Sequence, residues 1–141
     1  LADLRAVTDF PTTEEQRRRQ MVEDAFRLTG VQYLWGGGSG HGIDCSGLAQ
    51  VIHRLSGITI LRDADMQMKA GKPVEPTYLP GDLVFFGEKG EKKAVTHVGI
   101  SLGGWQIIHS SRSRNGVYID DIEQVQHLKE SWLGGASYVN K

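Results

Sequence analysis

The sequence predicts an α+β fold, with helices in its first half and an antiparallel sheet in its second. Three observations carry this. Apolar residues recur at helical spacing as far as Ala70. Beyond Gly71 the spacing changes to alternation, and Gly103-Gly104 splits two alternating runs as a hairpin turn does. Helices followed by strands, rather than interleaved with them, place the helices on one face of a single sheet.

Residues 1–11 read as a linker or lead-in ending at Pro11, and residues 12–141 as one domain. Thr12 with Glu15, and Thr13 with Gln16, are two overlapping capping boxes. Met21, Val22, Ala25, Phe26 and Leu28 then share a helix face, and Gly30 ends it. Val31 to Trp35 is a short β-branched and aromatic stretch leading into the glycine run 36–42. A second helix starts near Asp44, with Leu48, Val51, Ile52 and Leu55 as its buried stripe and Gly57 as its stop. Asp63 to Ala70 forms a third, short helix. Pro80-Gly81-Asp82 turns into the strand Leu83–Phe86, Ala94–Leu102 and Trp105–Ser110 make the hairpin, and Val117–Ile119 and Ala136–Val139 are further strands.

At 141 residues the chain suits one hydrophobic core, and its net charge of −1, spread along the sequence, provides no footprint for nucleic acid or an anionic membrane. No apolar run approaches the roughly 20 residues of a spanning helix. The chain opens on Leu1 and its first residues are too charged for a signal peptide. It therefore reads as a fragment or processed product from which an upstream signal, domain or tag has been removed.

Cys45 is the only cysteine, so it has no intrachain disulfide partner. It is either a small buried hydrophobe or a nucleophile. Its position in the first turn of the second helix favours thiolate character. A nucleophile also needs an imidazole, and the chain has five histidines. His53, about 12 Å further along the same helix, is out of reach. His41 lies in the glycine loop and His127 in a charged C-terminal stretch, where solvated side chains are the ordinary case. His97 and His109 both lie in apolar strands flanking one hairpin, and register decides whether they meet. A two-residue Gly103-Gly104 loop pairs Leu102 with Trp105 and puts the two imidazoles on opposite faces. A three-residue loop, Leu102 to Gly104, sets them directly opposite each other with Cβ atoms about 5 Å apart. The three-residue loop, or an equivalent bulge at the glycines, is expected. His97 is then the base beside Cys45, and His109 orients it. A zinc site built from Cys45, His97 and His109 lacks a fourth ligand, and no cofactor is expected.

Tyr33-Leu34-Trp35-Gly36-Gly37, Asp44-Cys45-Ser46-Gly47, Pro80-Gly81-Asp82-Leu83, Thr96-His97-Val98-Gly99 and Ile108-His109-Ser110, in that order, resemble the NlpC/P60 cysteine peptidases. The resemblance covers nearly the whole chain. It implies a papain-like fold and hydrolysis of bacterial cell-wall peptides through a thioester on Cys45. In that scheme His97 is the general base, His109 the polar third residue, and Tyr33 a donor near the developing oxyanion. Arg62-Asp63-Ala64 with Gln67, together with Asp44 and Ser46, is similar to the γ-D-glutamyl-L-diamino acid endopeptidase branch. That likeness implies a stem peptide, L-Ala-γ-D-Glu-diamino acid, as substrate, with Asp44, Ser46 and Trp35 as binding residues and the alanine ammonium near Asp44. Many members carry an SH3-like domain that walls off this subsite; none is present in this sequence. The implied location is the cell envelope, periplasmic or secreted, with cytoplasmic peptide recycling as the other setting. A papain-like amidase or acyltransferase acting on another wall or lipid bond is the alternative function. On residue chemistry alone, Asp44 is equally an N-cap, and Arg62 with Asp63 an ion pair and a helix cap.

Overall fold

In the computed structural model, which describes residues 13–33, 38–39, 42–88 and 94–139, helix α1 spans Glu14–Arg27. Of the two capping boxes, Thr13 with Gln16 is the one observed: the Thr13 hydroxyl accepts from the Gln16 amide and the Gln16 side chain accepts from the Thr13 N–H. Thr12 lies outside the described residues. Met21 and Ala25 are fully buried as expected, but Phe26 is 48% exposed. Arg18 and Asp24 occupy inward positions instead. Arg18 is tolerated there because Asp82 accepts from its Nη1 at 2.8 Å, Glu14 from its Nε at 3.0 Å and the Pro80 carbonyl from Nη1 at 2.9 Å.

A two-residue strand β1 (Gly38–Ser39) pairs with β2 (Gly42–Ile43), and α2 (Cys45–Leu55) and α3 (Ala64–Ala70) follow. The main sheet contains β3 (Lys72–Val74), β4 (Leu83–Glu88), β5 (Ala94–Gly103), β6 (Gln106–Ser111), β7 (Gly116–Asp121) and β8 (Trp132–Ser137), with α4 (Gln126–Ser131) before β8. Its order is β3-β8-β4-β5-β6-β7, antiparallel throughout. The architecture is α+β. Among the described residues no helix is long and apolar enough to cross a membrane.

Four elements escaped sequence reading: the short β1–β2 pair within and just after the glycine run, β3 and α4. β3 contains Pro73, which argues against a central strand and is accommodated because β3 is an edge. α4 has no side-chain cap and is held by Leu128, which is 3% exposed. Its presence corrects the expectation of a sheet covered on one face. Leu83, Phe85, Val98, Ile100 and Ile108 pack with Met21, Leu48 and Ile52 from the helices. Val84, Phe86 and Ile107 on the opposite face pack with Tyr78, Ile122 and Leu128. Coverage on both faces is why Leu83-Val84-Phe85-Phe86 is a continuous apolar run rather than an alternating one.

His53, fully buried in α2, donates from Nδ1 to the Ala49 carbonyl at 2.8 Å, and its Nε2 has no hydrogen-bond partner among the described residues. Burial pushes its pKa down to about 4, against a bond to Ala49 that favours the charged form. Between 6.5 and that value the unfolded chain binds a proton that the folded chain refuses, so stability falls as pH falls through this window. His53→Phe is expected to make the acid limb of a urea-midpoint-against-pH curve shallower, by up to about 1.4 kcal/mol per pH unit. An unchanged slope would show that other groups dominate.

Candidate active site

Asp44 starts α2 because its Oδ1 accepts from the Gly47 amide at 2.7 Å, and this cap places Cys45 as the first helical residue. The first amides of a helix lack intrahelical partners and point at whatever lies before it. In front of Cys45 lies β5. The ladder between β5 and β6 stops at Ile100–Ile108, and the Val98 amide beyond it goes to the Cys45 sulfur. The thiol is thereby held against the residue that follows His97.

The hairpin solves the register problem in a way the sequence reading named only as an alternative. The loop is the two residues Gly104-Trp105, between the partners Gly103 and Gln106. Gly104 has φ +62°, the left-handed value that a tight hairpin requires at its first central residue. One residue earlier the register shifts between Ser101 and Gly103, and this extra residue puts His97 and His109 on one face. They are diagonal neighbours, not directly opposite, because Gly99 faces His109 in this register. A Cβ on Gly99 would come within 2.9 Å of Ile107 Cδ1 and 3.4 Å of His109 Cβ, so glycine keeps that approach open. His97 Nε2 and His109 Nδ1 are 2.6 Å apart.

His109, 1% exposed, continues the chain of bonds: its Nε2 lies 2.7 Å from Asp120 Oδ2, and Asp120 Oδ1 accepts from Arg114 Nη1 at 2.8 Å. Asp120 was not legible in the sequence. It faces His109 only because Tyr118 pairs with His109 and residue 120 shares the face of residue 118.

The electrostatics correct one expectation. Burial pushes the Cys45 thiol up, the Asp44 carboxylate adds to this, and the amides of Val98, Ser46 and Cys45 itself oppose it without prevailing. Burial likewise pushes His97 down to about 3, with His109 and His127 adding to the effect. His109 is also lowered by burial, although the bond to Asp120 favours its charged form. Burial thus favours the uncharged form of each group, a thiol and a neutral imidazole, against the pull of the helix start.

One cleft is lined by Cys45, His97 and His109 together with Tyr33, Asp44, Ser46, Arg62, Arg112 and His127, among others. Tyr33 is placed there by a bridge to Ile43, and burial raises its pKa, so the hydroxyl stays a proton donor. Arg62 does not pair with Asp63 as expected from their adjacency. Its Nη2 donates to Asp44 Oδ2 at 2.7 Å and its Nη1 to Ser46 Oγ at 2.7 Å. Asp63 precedes α3 without a side-chain cap bond. Asp44 thus caps α2 with one oxygen and binds Arg62 with the other. His127, read from sequence as an ordinary solvated side chain, lines the cleft from α4. Trp35 lies outside the described residues.

The model of the NlpC/P60 family matches residues 30–135. A γ-D-glutamyl-L-lysine dipeptidyl-peptidase of Bacillus cereus is 33% identical over 136 residues, covering 96% of this chain and 40% of that protein. The protein of the same name in Bacillus subtilis is 41% identical over 111 residues, covering 78% and 38%. The chain thus spans about two fifths of the length of these relatives. Among solved structures, an NlpC/P60 family protein from Bacillus cereus superposes with a TM-score of 0.84 at 33% identity, covering 96% of this chain and 44% of that one.

Proposed function

The chain belongs to the NlpC/P60 family, with the papain-like α+β fold of its relatives, and from that premise we propose that it is a cysteine endopeptidase cutting the γ-D-glutamyl–diamino acid bond of peptidoglycan stem peptides. The observation that carries the chemistry is the array of Cys45, His97 and His109 in one cleft, with a 2.6 Å bond between the imidazoles. Cys45 attacks the amide carbonyl as His97 takes the thiol proton. The Cys45 amide and the Tyr33 hydroxyl face the developing oxyanion, His97 returns the proton to the leaving amine, and water then releases the acyl group from sulfur.

Support for the bond cut comes from the Asp44–Arg62–Ser46 cluster. An L-Ala-γ-D-Glu acyl group carries an ammonium at its end and a free α-carboxylate, because glutamate is linked through its side chain. A paired carboxylate and guanidinium offer complementary partners to both charges, and the Arg62 side chain is 38% exposed to the cleft. The names of the relatives point to the same bond. On this reading the protein acts at the cell envelope, periplasmic or secreted, with cytoplasmic peptide recycling as the other setting.

Incubation with L-Ala-γ-D-Glu-L-Lys and with the diaminopimelate peptide, followed by mass analysis, is expected to yield L-Ala-γ-D-Glu. Cleavage at another bond, or none in any stem peptide, overturns the reading. Asp44→Asn separates the cap from recognition. Its amide oxygen can still accept from Gly47, but its NH₂ then meets the donating Arg62 guanidinium, so a fall in melting temperature is expected beside the loss of charge, which raises KM for the free-amine peptide by about 10- to 100-fold. An unchanged KM would assign Asp44 to capping alone.

A further inference from the structure

We propose that Asp120 is a positioning residue that sets the tautomers of both imidazoles, so that His97 presents an unprotonated Nδ1 to Cys45. This rests on the reading of Cys45 and His97 as nucleophile and base. A carboxylate only accepts hydrogen bonds. Asp120 Oδ2, 2.7 Å from His109 Nε2, therefore requires the His109 proton on Nε2. A neutral His109 then has only a lone pair on Nδ1, and its 2.6 Å neighbour, His97 Nε2, must be the donor. With its proton on Nε2, the neutral His97 ring keeps a free lone pair on Nδ1, the one nitrogen not engaged by His109. The order is directional, from Asp120 through two rings, and each step follows from counting donors and acceptors.

The proton balance is local. The thiol proton moves to His97 Nδ1 as the carbon–sulfur bond forms, and it leaves from the same atom to the departing amine. No proton travels to His109 or Asp120; those groups orient and stabilise.

Arg114 makes the proposal unusually testable. It only donates, and it bonds the other oxygen of Asp120 at 2.8 Å. In Asp120→Asn the amide oxygen is drawn to Arg114, which turns the amide NH₂ toward His109. His109 must then accept at Nε2 and carry its proton on Nδ1. It donates to His97 Nε2 and forces the His97 proton onto Nδ1, the nitrogen the proposal assigns to the thiol. The near-isosteric variant is therefore expected to be worse than Asp120→Ala, which merely releases the tautomers.

The experiment combines ¹⁵N NMR of the histidine rings with the rate of Cys45 alkylation by iodoacetamide at pH 8, neither of which requires a peptide. Wild type is expected to show His97 and His109 protonated at Nε2. Asp120→Asn is expected to show both at Nδ1 and alkylation slowed about 100-fold, against about 10-fold for Asp120→Ala. Adding Arg114→Ala to Asp120→Asn frees the amide to turn, and is expected to restore the Nε2 tautomers and at least about tenfold of the rate. Tautomers that stay the same in Asp120→Asn, with or without a loss of rate, overturn the proposal. So does a failure of Arg114→Ala to restore anything. The expected tautomers and rates in a protein that cleaves no stem peptide support the relay and reject the substrate reading alone.

Discussion

Cys45→Ala is expected to abolish stem-peptide cleavage, lowering kcat by at least about 10⁴-fold, the scale at which removal of a nucleophile leaves only binding and oxyanion stabilisation. Two hydroxyls of the same cleft are engaged elsewhere. Ser46 binds Arg62, Ser111 bonds Ser113, and neither is seated on the helix start against Val98. The fold should survive. Cys45 contributes one partly buried sulfur to the main core, so its loss costs no more than about 1–2 kcal/mol. Because burial favours the neutral thiol, an alanine there leaves no charge unpaired. Product masses and a urea melt on the same sample check both halves. Wild-type turnover by the variant would remove Cys45 from the mechanism.

Asp82→Ala is expected to have the largest effect on stability, about 3–5 kcal/mol, read as a lower urea midpoint at unchanged m-value. Asp82 is 2% exposed and Arg18 7% exposed. The carboxylate also accepts from the Leu79 amide at 3.0 Å, so its removal orphans a backbone donor and takes from the buried guanidinium its buried carboxylate, leaving it the Pro80 carbonyl and the more exposed Glu14. Arg18 Nη2 already lacks a partner among the described residues, so the loss adds to an incompletely satisfied guanidinium. A loss of this size is a large share of the 5–15 kcal/mol typical of a domain. Combining Asp82→Ala with Arg18→Leu is expected to recover most of it, because the cost is that of the unpaired charge rather than the absent bond. If the double variant is no better than the single, the loss instead belongs to the turn.

These two sites differ in how far the sequence alone reveals them. Cys45 was legible because helix starts are local: a capping aspartate, small neighbours and an apolar stripe are all within one stretch of chain. Asp82 was legible as a turn residue, but its partner Arg18 was not. An arginine at an inward position of α1 looks like any surface charge until the strand that buries it is placed. The same holds for Arg62, whose adjacency to Asp63 suggested an ion pair that the fold gives to Asp44 instead.

The sequence by itself determined the α-then-β order of the main elements, the helix start beneath Cys45 and most of the apolar stripes that face the core, because these depend on contacts a few residues apart. It also narrowed the histidines to His97 and His109. Only the tertiary structure decided the hairpin bulge that brings those two rings together, the Asp120 that bonds His109 and the α4 segment that covers the second sheet face. It also decided that burial, which pushes the thiol pKa up, outweighs the amides that pull it down. Register can shift by one residue at a pair of glycines with little local cost, and desolvation depends on everything packed around a group. Neither is written in any single stretch of chain.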